Sequence, residues 1–135
     1  MSFAWQSRIR FVDTDASRRI HYTAILRHFE AAEHEFLLHI GFGYSQITTR
    51  EVGFPRVHVE VDFQSAIVYN DLIDIEVSVG KVGTTSFTFL FSATVQGRQA
   101  ASGKIVVVAM NPATKKSCPV PEALATALRT HIIPI

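Results

Sequence analysis

Asp13-Thr14-Asp15-Ala16-Ser17-Arg18-Arg19-Ile20-His21-Tyr22 stands directly before the longest helical pattern in this 135-residue chain. Tyr22, Ile25, Leu26, Phe29, Ala32, Phe36, Leu37 and Ile40 recur at three- and four-residue spacing, which predicts an amphipathic helix over 22–40. Gly41 marks its stop, because glycine enters the left-handed conformation past a helix end without steric penalty. At about 1.5 Å per residue such a helix is roughly 28 Å long, enough to cross a small domain. The loop thus delivers two carboxylates to the unpaired N–H groups of a helix start.

Outward from this stretch the period changes from helical to alternating. Phe3, Trp5, Ile9 and Phe11 alternate with polar residues and predict a first strand over about 3–12. Beyond the helix, 45–55 reads as a connection containing Gly53 and Pro55. Val57, Val59, Val61 and Phe63 then alternate with His58, Glu60, Asp62 and Gln64, the clearest strand in the chain. Leu72 to Val79 and Phe87 to Val95 repeat the pattern. Turns are expected at Gly80-Lys81-Val82-Gly83 and Gln96-Gly97-Arg98. Ile105 to Met110 is apolar on both faces and therefore a central strand, and Pro121 to Arg129 predicts a short helix. Strand, long helix, four strands on short connections and a short helix make one α+β domain over 1–135, with a mainly antiparallel five-stranded sheet wrapped on the helix. A sheet of this kind has open edges, and a homodimer or homotetramer is expected to cover them.

Composition narrows the chemistry. A net charge of +1 makes no electrostatic case for nucleic acid. The single cysteine, Cys118, excludes an internal disulfide framework and a multi-cysteine metal site. The opening residues show no signal-peptide pattern, and no run approaches the roughly 18 apolar residues of a membrane span. A cytoplasmic location is the expectation. Asp13-x-Asp15-x-Ser17 is not a calcium loop, since Arg18 and Ala24 stand where glycine and glutamate are needed. Glu30, Glu33, His34 and His39 complete no ligand motif and predict a solvated or interface face. No metal is expected.

Two uses of the loop carboxylates stand open. Either they cap the helix, as Asp, Ser and Thr commonly do. Or one acts as general base or nucleophile towards an electrophilic carbonyl, with the free N–H groups near Tyr22 and Thr23 receiving the developing oxyanion.

Asp13-Thr14-Asp15, then Ile20-His21-Tyr22, Leu26, Phe29-Glu30 and Glu35-Phe36-Leu37, resembles the signature of hotdog-fold acyl-CoA thioesterases of the 4-hydroxybenzoyl-CoA thioesterase type. The likeness continues through Phe63, Asp71-Leu72 and Ser86-Phe87 and covers roughly 5–110. It implies a catalytic carboxylate at Asp15, a carbonyl-polarising backbone N–H near Tyr22, and a supporting role for Asp13. His21 falls where an orienting group, or a histidine packed at the helix start, would stand. The resemblance implies a coenzyme A thioester as substrate and no separate cofactor. Two positions depart from the family pattern: Arg18 replaces a usual glycine, and Ala24 a common asparagine. Arg18 either reshapes the loop or reaches a coenzyme A phosphate. Arg19, Arg56, Arg98, Lys104, Lys115 and Lys116 are further cations for those phosphates. The phenylalanines of 87–91 are expected to pack the core. Neither the histidine loop of hotdog dehydratases nor the Asp and His pair of hydratases is evident. The expected activity is acyl-CoA thioester hydrolysis. The alternatives are a non-catalytic acyl-CoA-binding protein, or a thioesterase for polyketide or aromatic acyl groups on an acyl-carrier protein.

Overall fold

Strand β3 (Leu72–Val82) pairs along β1 (Phe3–Arg8) on one side and β4 (Ser86–Val95), the middle strand of the sheet, on the other. The elements are β1 (Phe3–Arg8), α1 (Ala24–His39), β2 (Arg56–Phe63), β3 (Leu72–Val82), β4 (Ser86–Val95), β5 (Arg98–Val108) and α2 (Glu122–Arg129). All pairings are antiparallel, in the order β1-β3-β4-β5-β2. The computed structural model describes residues 3–43 and 51–132. Tyr44 and the first part of the connection expected over 45–55 lie outside those residues.

The core is the helix stripe laid on the sheet. Ile25, Phe29, Ala32 and Phe36 are fully buried. Phe29 stacks on Phe91 with ring centroids 4.7 Å apart, and Phe36 meets Phe89 edge-on at 6.1 Å. The phenylalanines of β4 are therefore packing residues. Gly103 of β5 makes the stack possible, since a Cβ there would overlap the Phe29 ring, with Cδ2 only 3.0 Å away. At the helix end Gly41 adopts φ 91°, Phe42 N–H bonds to Leu37 C=O and Gly41 N–H to Leu38 C=O. This is the double bond of a glycine-terminated helix.

Several boundaries differ from the sequence pattern. β1 ends at Arg8 because the Asp13 carboxylate accepts the Arg10 N–H at 2.7 Å and curls Phe11–Asp13 into a 3₁₀ turn. Phe11 is left 78% exposed. α1 begins at Ala24, so Tyr22 is not on the buried stripe; it is 72% exposed. β3 continues through Gly80, where the register shifts and Leu90 occupies the space of the missing side chain. The turn therefore falls at 83–85. β5 starts at Arg98, directly after a two-residue Gln96-Gly97 turn with both φ positive.

The alternation of β2 puts its apolar residues on one side of the strand. Val59, Val61 and Phe63 do stand opposite Ile105, Gly103 and Ala101 of β5. However, the α1 backbone runs nearer β1 and β3 than β2. Within one chain Val57 stays 60% exposed, and Val59 and Phe63 46% each. Glu33 also departs from expectation. It falls on the core stripe four residues after Phe29 and is 5% exposed, paired with Arg56 of β2. Burial raises its carboxyl above the usual range, against the opposing pull of the guanidinium.

Candidate active site

The Asp13–Tyr22 loop is built on two carboxylates with different surroundings. Asp13 is 4% exposed. Its carboxylate accepts the Arg10 N–H at 2.7 Å and Arg27 at 3.0 Å, and His28 Nε2 lies 3.1 Å away. Burial disfavours its charge, but these donors together hold its carboxyl below the ordinary value. Stability from Asp13 is therefore present above the usual carboxylate range and lost as pH falls through the lowered value. Its carbonyl accepts the His21 N–H at 2.7 Å, which closes the loop. Asp13 is thus a structural hub joining β1, the loop and α1.

Asp15 is exposed. Its Oδ1 accepts the Ser17 N–H at 2.8 Å and the Ser17 hydroxyl at 2.5 Å, and no described residue bonds Oδ2. The Ser17 hydroxyl and N–H, with a smaller pull from His21, keep its carboxyl below the usual value. At neutral pH Asp15 is an ionised carboxylate with one oxygen free. The turn around it is closed by Asp15 N–H to Arg19 C=O at 3.0 Å and Arg18 N–H to Asp15 C=O at 2.9 Å.

Arg18 sits in that turn at φ 65°, the left-handed region that favours glycine. An arginine thus occupies a backbone conformation that glycine adopts without strain. Arg18→Gly should raise the melting temperature by about 1–3 °C, as relief of strain outweighs the added freedom of the unfolded chain. A thermal melt that falls would show that the arginine side chain stabilises the turn.

Not all the N–H groups at the helix start are available to a ligand. Ala24 N–H bonds to His21 C=O at 2.9 Å, and Thr23 N–H to His21 Nδ1 at 3.1 Å. The His21 ring, stacked on Tyr22 at 4.7 Å, acts as the helix cap in place of a carboxylate. The Tyr22 N–H has no acceptor among the described residues. Of the two donors foreseen, Thr23 is occupied and Tyr22 is open.

Tyr22 borders a cleft of about 350 Å³. Arg19, Ile20 and Tyr22 form one wall, and the segment from Phe63 to Ile67 forms the other. The second wall was not foreseen. It is fixed by contacts distant in sequence: Gln64 and Ser65 N–H on Ala100 C=O, Ile20 N–H on Ile67 C=O, and Arg98 donating to Ser65 Oγ and Ala66 C=O. Arg98 is a strut of this wall. Arg19 lines the cleft; Arg18 does not, and Arg56 is engaged by Glu33 and the Phe54 carbonyl. Among the described residues no group of three or more His, Cys, Asp or Glu side chains is placed to hold a metal.

The loop thus carries a free carboxylate oxygen on Asp15 and a free N–H at the helix start, beside a cleft that Tyr22 lines and Asp15 does not. A profile of the thioesterase-like superfamily matches residues 9–128. The chain belongs to the thioesterase-like superfamily. By that membership and its sheet-and-helix architecture it is a thioester hydrolase on a hotdog fold. The thioesterase-like chain is 30% identical to a 1,4-dihydroxy-2-naphthoyl-CoA hydrolase of Prochlorococcus marinus strain NATL1A over 118 residues, 82% of this chain and 79% of that one. A solved gentisyl-coenzyme A thioesterase is 28% identical, with a TM-score of 0.84 over 93% of this chain and 99% of the other. A 1,4-dihydroxy-2-naphthoyl-CoA thioesterase from Synechocystis gives a TM-score of 0.89 over 99% and 100% of the two chains. At 17% identity that likeness speaks for the fold alone. No described helix is long and apolar enough to cross a membrane.

Proposed function

We propose that this protein hydrolyses the coenzyme A thioester of a hydroxylated aromatic acid. The observation that carries the reading is the free Oδ2 of ionised Asp15 on the loop that leads to the open Tyr22 N–H. In hydrolysis the thioester carbonyl oxygen accepts the Tyr22 N–H, whose interaction strengthens as negative charge develops on it. Asp15 then takes a proton from water attacking the carbonyl carbon, or attacks that carbon itself to give an acyl-aspartate that water cleaves. Both routes expel coenzyme A as its thiolate and release the free acid.

The aromatic preference rests on the cleft and on the relatives. Tyr22 and Phe63 offer ring faces, while the Gln64 side-chain carbonyl supplies an acceptor suited to a ring hydroxyl; the Ser65 hydroxyl is already engaged by Arg98 and the Gln99 carbonyl. The relatives at 30% and 28% identity are a 1,4-dihydroxy-2-naphthoyl-CoA hydrolase and a gentisyl-coenzyme A thioesterase, so coenzyme A, not a carrier protein, is the thiol proposed. Thiol release should be measured across hydroxyaryl-, short- and long-chain acyl-CoAs. Turnover is expected with the hydroxyaryl thioesters. Stoichiometric binding without thiol release would favour the non-catalytic reading.

The proposed working form is a homodimer. β2 is an edge strand whose apolar residues Val57, Val59 and Phe63 are uncovered in one chain, and Phe63 also lines the cleft. A partner placed there would cover both the edge and one side of the cleft. Val59→Lys should shift sedimentation towards the monomer and lower activity together. A dimer unaffected by that charge would place the interface elsewhere.

A further inference from the structure

His28 is a buried histidine of α1 that the proposed chemistry does not use. Its side chain is 11% exposed and lies between Ser7 of β1 and Asp13. Nδ1 is 2.6 Å from Ser7 Oγ. Nε2 is 3.1 Å from Asp13 Oδ2, close but poorly aligned, and has no other polar partner. A nitrogen facing only a carboxylate carries its proton, so Nε2 bears the hydrogen on the Asp13 side of the ring and, in the neutral ring, Nδ1 accepts the Ser7 hydroxyl. Asp13 in turn holds Arg10 through its carboxylate and His21 through its carbonyl. The ring thereby connects β1 and the central helix to both ends of the loop that carries Asp15 and the Tyr22 N–H.

We infer that His28 is a positioning residue: by anchoring Asp13 it sets where Asp15 and the Tyr22 N–H stand relative to each other. The inference rests on the function proposed above for those two groups. Three features make it more than a packing contact. A side chain of similar size without polar atoms would fill the same space, yet this one brings a buried polar atom to a carboxylate. Asp13 already has two other donors, so the ring is not needed to satisfy its charge. The second anchor, Ser7, lies in β1, whose register with β3 is fixed by the Ser7 and Ile73 pairing. The ring therefore transmits the sheet's position to the loop.

Asparagine and glutamine at position 28 separate the two contacts. The Asn amide nitrogen reaches about as far as Nδ1 and can meet Ser7 but not Asp13. The Gln amide reaches about as far as Nε2 and keeps a donor towards Asp13. His28→Asn is expected to lower kcat on a hydroxyaryl-CoA by about tenfold with KM within about twofold, because small misplacements of reacting groups act on the chemical step. His28→Gln should recover most of that loss. Amide hydrogen exchange provides a readout that needs no substrate. The His21 and Arg10 N–H groups should exchange about tenfold faster in His28→Asn than in wild type and His28→Gln, at unchanged exchange in β4. Equal exchange in all three proteins, or equal losses of kcat in Asn and Gln, would overturn the inference. If His28→Asn fails to fold, Ser7→Ala, which keeps the ring and frees its far side, should show the same faster exchange, and its absence would also overturn it. A wild type with no turnover would refute the proposed function alone, since exchange still reports whether His28 holds the loop.

Discussion

Asp15→Asn is expected to lower kcat by about 10²–10⁴-fold while leaving the melting temperature essentially unchanged. Asparagine matches the size of aspartate, and its carbonyl oxygen still accepts the Ser17 N–H and hydroxyl that Oδ1 accepts now. The side chain is exposed, so its loss of charge leaves no buried group unpaired. What disappears is the free anionic oxygen. Without it neither water activation nor direct attack on the thioester is available, while the Tyr22 N–H still binds the carbonyl. KM should therefore change little. The wild-type pH profile carries a second signature. Ser17 holds the Asp15 carboxyl below its ordinary value, so the ionised form, and the rate that depends on it, should persist as pH falls through the usual carboxylate range and decline only below it. An Asp15→Asn protein with wild-type kcat would remove Asp15 from the mechanism.

Gly103→Ala should be the most damaging single-methyl change in the fold. The added carbon would overlap the Phe29 ring, which is fully buried and already stacked on Phe91 with an interplanar angle of 6°. Neither the β5 backbone nor the ring has free space to yield, because interiors are close-packed. Overpacking of this kind costs about 2–3 kcal/mol, or roughly 5–10 °C in melting temperature for a chain of this size. Phe29→Leu in the same chain should return part of the loss, since it removes the atoms that clash. Losses that simply add in the double variant would show that the ring and the new methyl do not meet.

How far this was legible in the sequence depends on the range of the interactions involved. The helix stripe from Ile25 to Leu37, the stop at Gly41 and the alternation of β2, β3 and β4 were readable, because periodicity and a glycine's conformational freedom are local properties. So was the pairing of an acidic loop with a helix start. The ends of elements were less legible. β1 stops at Arg8 because a carboxylate five residues on takes the Arg10 N–H, and β3 runs through Gly80 because Leu90 of the next strand fills its empty side. Neither partner can be located from spacing along one strand.

The roles within the loop divide in the same way. Residue type and period alone establish that two carboxylates precede a helix in an order of elements that one sheet can wrap. The burial of Asp13 as a hub, and the exposure of Asp15 with an oxygen free, arise from the folded arrangement, which also fixes the rest of the loop's contacts. Through folding His21 accepts the Thr23 N–H and leaves the Tyr22 N–H open, residues 63–67 come to face Tyr22 across a cleft, and Glu33 draws Arg56 to itself. Each of these depends on which distant side chain or backbone group supplies the partner. Chain folding, acting through burial and hydrogen-bond geometry, brings those partners together.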